Sequence, residues 1–188
     1  NKYPKNIDDL PFPSYEDFSI TDYYFDTSKW HNPHNYKFNY NFPIITSRGC
    51  PKRCSYCALP SLTGFKYRTR SAENVVDEIQ YLYDKYDCRY VSFVDDNFTA
   101  DISRAEEIMD EICRSNLKIQ FDTSNGIDLT CVTERLLDKM VKAGAIRLTI
   151  AIETGSEDFR YKYLNKKVKN KQIYQFFKWA SKHKNLKI

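Results

Sequence analysis

The chain of 188 residues is 41 % hydrophobic and 29 % charged, which suits one domain with a buried core and excludes a disordered polymer. No apolar run approaches the ~18–20 residues of a membrane-crossing helix and no secretory leader pattern opens the sequence, so no membrane partner is expected and the cytoplasm is the expected compartment. Ten of the 29 Lys/Arg and none of the 25 Asp/Glu follow from Phe159 onward, leaving 19 basic against 25 acidic residues before it. That basic stretch reads as the solvated side of a helix plus a terminus, and a nucleic-acid partner is not expected.

Residues 1–41 have no clear period and combine Pro4, Pro11, Pro13 and Pro33 with many aromatics. They predict an extended lead-in arm laid over the core, with the core itself spanning 42–188. From Phe42 the pattern turns regular. Ile44 and Ile45 open a short strand running into Thr46-Ser-Arg-Gly-Cys50. Ser71 is placed to cap a helix through Val75, Val76, Ile79, Leu82 and Tyr86. Tyr90–Val94 predicts a strand ending in Asp95-Asp-Asn97, and Ile102 to Cys113 the next helix. Leu117, Ile119 and Phe121 alternate as a strand leading to Asp122-Thr-Ser-Asn-Gly126. Thr133 heads a third helix stopped by Gly144. Ile146, Leu148, Ile150 and Ile152 alternate into Glu153-Thr-Gly-Ser156, a fourth helix carries Ile173 to Ala180, and Leu186-Lys-Ile188 begins a fifth strand.

Four strand–helix units predict an α/β fold of parallel strands, a partial (βα) TIM-like barrel ending after about four units. In such a sheet every strand's C-terminal end lies on one rim, so the cysteine loop and the loops after strands two, three and four converge there.

The cysteines Cys50, Cys54 and Cys57 are spaced C-x3-C-x2-C, whereas Cys88, Cys113 and Cys131 are scattered in or beside apolar patterns and read as small buried hydrophobes. Clustered thiols without a disulfide framework read as metal ligands in a reducing compartment. Structural zinc takes four protein ligands, and its only fourth candidates, His31 and His34, stand far upstream in the arm. A cubane cluster takes one thiolate per iron, and three thiolates leave one iron open.

The run Thr46-Ser-Arg-Gly-Cys-Pro-Lys-Arg-Cys-Ser-Tyr-Cys57, with Tyr67-Arg-Thr-Arg-Ser71, Val94-Asp-Asp-Asn-Phe-Thr99 and Ile152-Glu-Thr-Gly-Ser156, resembles the radical S-adenosylmethionine (SAM) enzymes. The branch it is most similar to often carries a cobalamin-binding domain ahead of the core. The resemblance implies that Cys50, Cys54 and Cys57 ligate a [4Fe–4S] cluster and that SAM chelates the fourth iron. One-electron reduction, from a donor such as flavodoxin or ferredoxin, then gives a 5′-deoxyadenosyl radical. Tyr56 stands where the family packs a ring near the adenine. Asp95, Asp96 and Asn97 match the segment that contacts the methionyl ammonium, and Glu153 matches a ribose-binding position. Ser124 and Asn125 stand at the third strand end on the SAM side, where the family often carries an Arg and this chain has Gly126.

Read from the residues alone, Asp95–Asn97 could instead cap the helix near Ile102, Ser124-Asn-Gly126 could be a turn, and Arg68 and Arg70 surface positions. The family's core has more strand–helix units than this sequence, so the chain reads as a fragment with an open sheet edge at the fourth strand. No cobalamin domain is recognisable, so cobalamin would be held by a domain absent from this chain. The expected substrate is a small molecule and the expected reaction its methylation or rearrangement. A transfer-RNA methylthiotransferase-like enzyme and a non-catalytic iron–sulfur-binding remnant are the alternatives.

Overall fold

A computed structural model describes residues 4–23, 38 and 40–188. His31 and His34, the candidate zinc partners, lie outside the described residues. Strands β1 (Phe42–Ile44), β4 (Tyr90–Phe93), β5 (Gln120–Ile127) and β6 (Ala145–Ile150) form one parallel sheet in the order β1-β4-β5-β6. Between β1 and β4, the short strands β2 (Ser47–Arg48) and β3 (Arg68–Thr69) pair antiparallel as a separate ribbon. Because the sheet order follows chain order with no reversal, the connecting helices collect on one face, as in an arc of a (βα) barrel rather than a doubly wound sheet.

A short helix α1 (Leu59–Thr63) follows the cysteines, and the long helices start where capping chemistry allows. Helix α2 (Ala72–Tyr86) begins with the Asn74 N–H donating to Ser71 Oγ at 3.1 Å. Helix α4 (Glu134–Lys142) begins with the Leu136 N–H donating to Thr133 Oγ1 at 3.1 Å. Each cap satisfies a backbone donor that has no partner inside the helix. Helix α3 (Ile102–Arg114) is capped by Asp101, whose Oδ1 accepts from Arg104 N at 3.1 Å, so Asp95–Asn97 are released from that duty. Helix α2 packs on α3, α3 on α4, and α4 on α6 (Asn170–Ala180). Their apolar faces bury Ile79, Leu82, Ile108, Met109, Leu137 and Met140 against Val91, Phe93 and Phe121 of the strands.

The opposite sheet face is polar. Tyr90 Oη donates to Asp122 Oδ2 at 2.6 Å, Ser124 Oγ donates to Asp122 Oδ1 at 2.7 Å, and Arg147 pairs with Asp122 at 3.0 Å. Burial first, then the Asp122 charge, pushes the Tyr90 phenol well above its ordinary range. Phe38 of the arm stacks on the Tyr90 ring at 4.4 Å. Earlier arm residues dock on the helical side: Asp8 accepts from Ser71 N, and Tyr15 meets Phe42 and Tyr86 edge-on.

Three expectations need correction. Strand β5 does not end at Phe121 but continues through Ile127, so Ser124 and Asn125 belong to a strand rather than a turn. Its pairing with β6 slips at Phe121/Asp122 and again between Thr123 and Ile127, and Gly126 takes φ 95° at that irregularity, a value glycine tolerates. Second, a short helix α5 (Glu157–Lys162), too brief to show a period, precedes α6. Third, the β6 edge is not bare. Leu148 N–H donates to Lys187 O at 2.8 Å and Lys187 N–H to Ile146 O at 2.9 Å, forming a parallel bridge where the fifth strand was expected to begin.

Candidate functional site

The cysteine loop and the ends of β4, β5 and β6 surround a cavity of about 430 Å³. Cys50, Cys54 and Cys57 line it as free thiols, with Tyr56, Asp96, Asn97, Asn125 and Glu153 around them. Asp95 and Ser124 do not line it. Ser124 is turned to Asp122 on the polar sheet face. Asp95, 1 % exposed, lies behind the wall. It accepts from Thr46 N at 3.2 Å, from Thr46 Oγ1 at 2.7 Å and from Ser47 Oγ. Burial pushes its carboxyl up, partly offset by those bonds and by the Arg104 charge. Asp95 therefore pulls the chain out of the sheet after Ile44, which explains why Ser47–Arg48 pair with Arg68–Thr69 instead of extending β1. Arg70 is not a surface residue either: it clasps Ile45 O, Asn74 and Glu78.

Asp96 holds the next part of the loop, its Oδ2 accepting from Gly49 N at 2.8 Å. Gly49 has φ 85°, and a Cβ there would lie 2.4 Å from the Lys66 carbonyl oxygen. Gly49→Ala is expected to destabilise the fold by about 1–3 kcal/mol and to displace Cys50. Urea denaturation and iron uptake of the variant, measured side by side with the parent, check this; unchanged uptake would detach Gly49 from the site.

On the far side of the cavity Glu153, itself at φ 68°, accepts from Tyr56 Oη at 2.8 Å and from Lys166 Nζ at 2.9 Å. The Lys166 bond first, then the Tyr56 bond, holds the Glu153 carboxyl below its ordinary value. Tyr56 is 51 % exposed, so its ring forms the outer lip. The segment after α5 fastens the cysteine loop. Ser55 N donates to Leu164 O at 3.0 Å, Ser55 Oγ to Tyr163 O, and Asn165 Nδ2 to Arg53 O at 2.7 Å. Behind it the Arg160 guanidinium, 0 % exposed, donates to Val168 O at 3.1 Å, to Thr154 O and to Asn170 Oδ1.

Lys52 ties the cysteine loop to the loop after β5, pairing with Asp128 at 2.8 Å and donating to Thr130 Oγ1 at 2.9 Å. Burial raises the Asp128 carboxyl, but the Lys52 bond and two Thr130 bonds outweigh it and leave the group below its ordinary value. A depressed carboxyl stabilises the fold fully above its unfolded pKa of ~3.9 and loses that contribution as pH falls through the folded value. Asp128→Asn should therefore cost about 1 kcal/mol near neutrality, the half-exposed lysine limiting the effect. Urea denaturation across the pH range checks the sign: the gap between the two proteins closes in acid. Cys131 was expected to be a buried small hydrophobe; it is half-buried beside Thr130 and 3.9 Å from Asp128. Cys88 is buried as expected, and burial pushes its thiol up to about 12.

Among the described residues no three His, Cys, Asp or Glu side chains converge tightly enough to hold a single metal ion. The three thiols on one cavity fall one short of the four protein ligands of structural zinc, and their number suits a cluster that takes one thiolate per iron. Lys52, Asp128 and Lys166 were not singled out from sequence. Lys166 and Arg160 sit in the basic stretch read as solvated, and the one signal was its position directly after the fourth strand end. Among the described residues no helix is long and apolar enough to cross a membrane.

A sequence profile of the Radical SAM superfamily matches residues 44–186. The cytidylyl-2-hydroxyethylphosphonate methyltransferase of Streptomyces wedmorensis is 29 % identical over 174 residues, which is 93 % of this chain and 32 % of that protein. An uncharacterised methyltransferase of Pyrococcus horikoshii is 28 % identical, covering 81 % of this chain and 30 % of its own length. The chain thus spans about a third of the length of each of these two relatives. In fold it is similar to a radical S-adenosylmethionine methyltransferase from Kitasatospora setae, solved with cobalamin and a [4Fe-4S] cluster bound. The TM-score is 0.67 at 19 % identity, over 75 % of this chain and 28 % of that one. With the profile covering the strands, the cysteine loop and the cavity wall, the chain belongs to the Radical SAM superfamily.

Proposed function

We propose that this chain is the cluster- and SAM-binding core of a radical SAM methyltransferase. Cys50, Cys54 and Cys57 hold a [4Fe–4S] cluster with one iron left for SAM. Together the two groups supply reductive cleavage of SAM to a 5′-deoxyadenosyl radical, for methylation or rearrangement of a small-molecule substrate. The observation that carries this reading is one cavity lined by all three thiols together with Asp96, Asn125, Glu153 and Lys166.

The chain's own residues bind and orient. A carboxylate and an ammonium of opposite sign on the wall match a zwitterionic methionyl group, and charge-assisted bonds of this kind are the stronger ones. Glu153 accepts from ribose hydroxyls once Tyr56 or Lys166 yields one of its bonds. Tyr56 presents a ring face at the lip, suited to an adenine. Asp96 and Lys52 keep the loop in place while these contacts form.

A low-potential one-electron protein of the flavodoxin or ferredoxin type is the proposed electron donor. Cobalamin, where used, is proposed to come from a part of the protein outside residues 1–188. The similarity to methyltransferases over most of the chain supports methyl transfer as the parent activity. The test is anaerobic reconstitution with iron and sulfide, then SAM and reductant, with 5′-deoxyadenosine as readout. Cluster and deoxyadenosine together are expected. A cluster without deoxyadenosine favours a binding remnant, and one equivalent of zinc without iron uptake overturns the reading.

A further inference from the structure

The three residues that follow Val94 each bond a different part of the cysteine loop. Asp95 takes Thr46 and Ser47, Asp96 takes the Gly49 N–H, and Asn97 reaches Cys50. The last rung differs in kind, because its partner is sulfur. Asn97 Nδ2 lies 3.6 Å from Cys50 Sγ, and the residue is 4 % exposed. Its backbone carbonyl accepts from Tyr67 Oη at 3.2 Å. Although Asn97 leads the 3-10 turn Phe98–Ala100, its side chain makes no capping bond there.

Asparagine at such a position ordinarily caps the turn it starts. Here the amide has given up that role, and its Oδ1 is buried with no partner among the described residues. Leaving a buried carbonyl oxygen unpaired costs about 1–3 kcal/mol, so the orientation needs a compensating contact. A neutral thiol is a weak acceptor and offers little. A thiolate offers a charge-assisted bond, and the reversed amide would set oxygen against the sulfur lone pairs.

We infer that Asn97 is a positioning residue for electron entry: its Nδ2–H donates to the Cys50 thiolate and raises the reduction potential of the cluster that thiolate ligates. The inference rests on Cys50 being a cluster ligand, as proposed above. Reduction adds one electron, from the external one-electron donor, to a unit that includes the ligand sulfurs. The bond strengthens as negative charge builds on Sγ, so it stabilises the reduced form more than the oxidised one. Hydrogen bonds to cluster sulfurs are a recognised determinant of these potentials. No proton changes owner in the step.

The experiment is a redox titration of the reconstituted 188-residue chain, the reduced cluster followed by electron paramagnetic resonance, with dithionite as reductant. Asn97→Leu removes the donor at similar volume, and Asn97→Asp puts a carboxylate in its place. At equal iron content, Asn97→Leu should shift the reduction equilibrium about tenfold against the reduced form, a midpoint about 59 mV lower for one electron. Asn97→Asp should shift it further. Full iron loading with unchanged midpoints in both variants overturns the inference while leaving the cluster assignment intact. A parent chain that takes up no cluster overturns both. Should the variants lose the cluster, the parent decides: with 15N in the asparagine side-chain amides, pulsed resonance of the reduced cluster should show a nitrogen coupling, and its absence refutes the bond.

Discussion

Cys54→Ser is expected to abolish iron and sulfide uptake on anaerobic reconstitution, whereas Cys88→Ser and Cys113→Ser should load like the parent. Cys54 is the half-buried middle thiol of the loop, and the other two scattered cysteines named here lie away from the cavity wall. In the metal-free chain burial pushes the Cys54 thiol up, while the neighbouring Lys166 charge acts the other way, so metal binding must displace a proton. On the proposed assignment each thiolate would answer for its own iron, so removing one would strand that corner. The loss should exceed the roughly 10–100-fold that deleting a mere hydrogen-bond partner of a ligand costs. Iron and acid-labile sulfide per chain are the measurement. A Cys54→Ser protein that loads normally would remove the ground for the whole functional reading. Cys88→Ser serves as the counterweight: it puts a hydroxyl into a buried site whose sulfur contacts Tyr90 O at 3.6 Å, and should cost stability without touching iron content.

What could be read from sequence divides along a physical line. Local chemistry was legible: the caps at Ser71 and Thr133, the apolar spacing of the helices, and the thiol spacing all depend on residues a few positions apart. The convergence of the strand ends was legible too, because parallel βα order dictates it. Contacts across large separations were not. Asp95 looked like a ligand-facing carboxylate after a strand, and nothing local shows that it reaches back 49 positions to Thr46 and is buried there. The continuation of β5 through Asp122-Thr-Ser-Asn-Gly-Ile127 was hidden because polar residues and glycine usually mark a turn. Here Asp122 and Ser124 face the polar side of the sheet, where Tyr90 and Arg147 meet Asp122. Charge bias misled in the same way. Averaged over the residues from Phe159 onward, ten cations read as solvated, yet Arg160 is the most enclosed of them and Lys166 stands at the cavity.

Arg160→Met is expected to cost about 2–4 kcal/mol of fold stability, because one buried and two half-buried acceptors lose their donor, each unmade bond costs up to about 1–3 kcal/mol, and water reaching the half-buried pair recovers some. Methionine fills most of the volume, so the effect reports the hydrogen bonds rather than a cavity. The site should suffer beyond that. Arg160 joins Thr154 O, next to Glu153, to Val168 O and Asn170 Oδ1, and its own carbonyl accepts from Lys166 N at 2.9 Å. Those bonds hold Lys166 against Glu153 and hold Tyr163 to Asn165 against the cysteine loop. With the guanidinium gone, the Lys166–Glu153 pair loses its fixed geometry, and SAM affinity should fall more than iron loading does. Urea denaturation gives the first number, and equilibrium binding of SAM to the cluster-loaded variant gives the second. Equal loss of iron and SAM binding would mean that the clasp serves the fold alone. Arg160→Lys separates the two roles further: it keeps the charge but cannot reach three acceptors with one ammonium, so it should behave like the methionine variant rather than the parent.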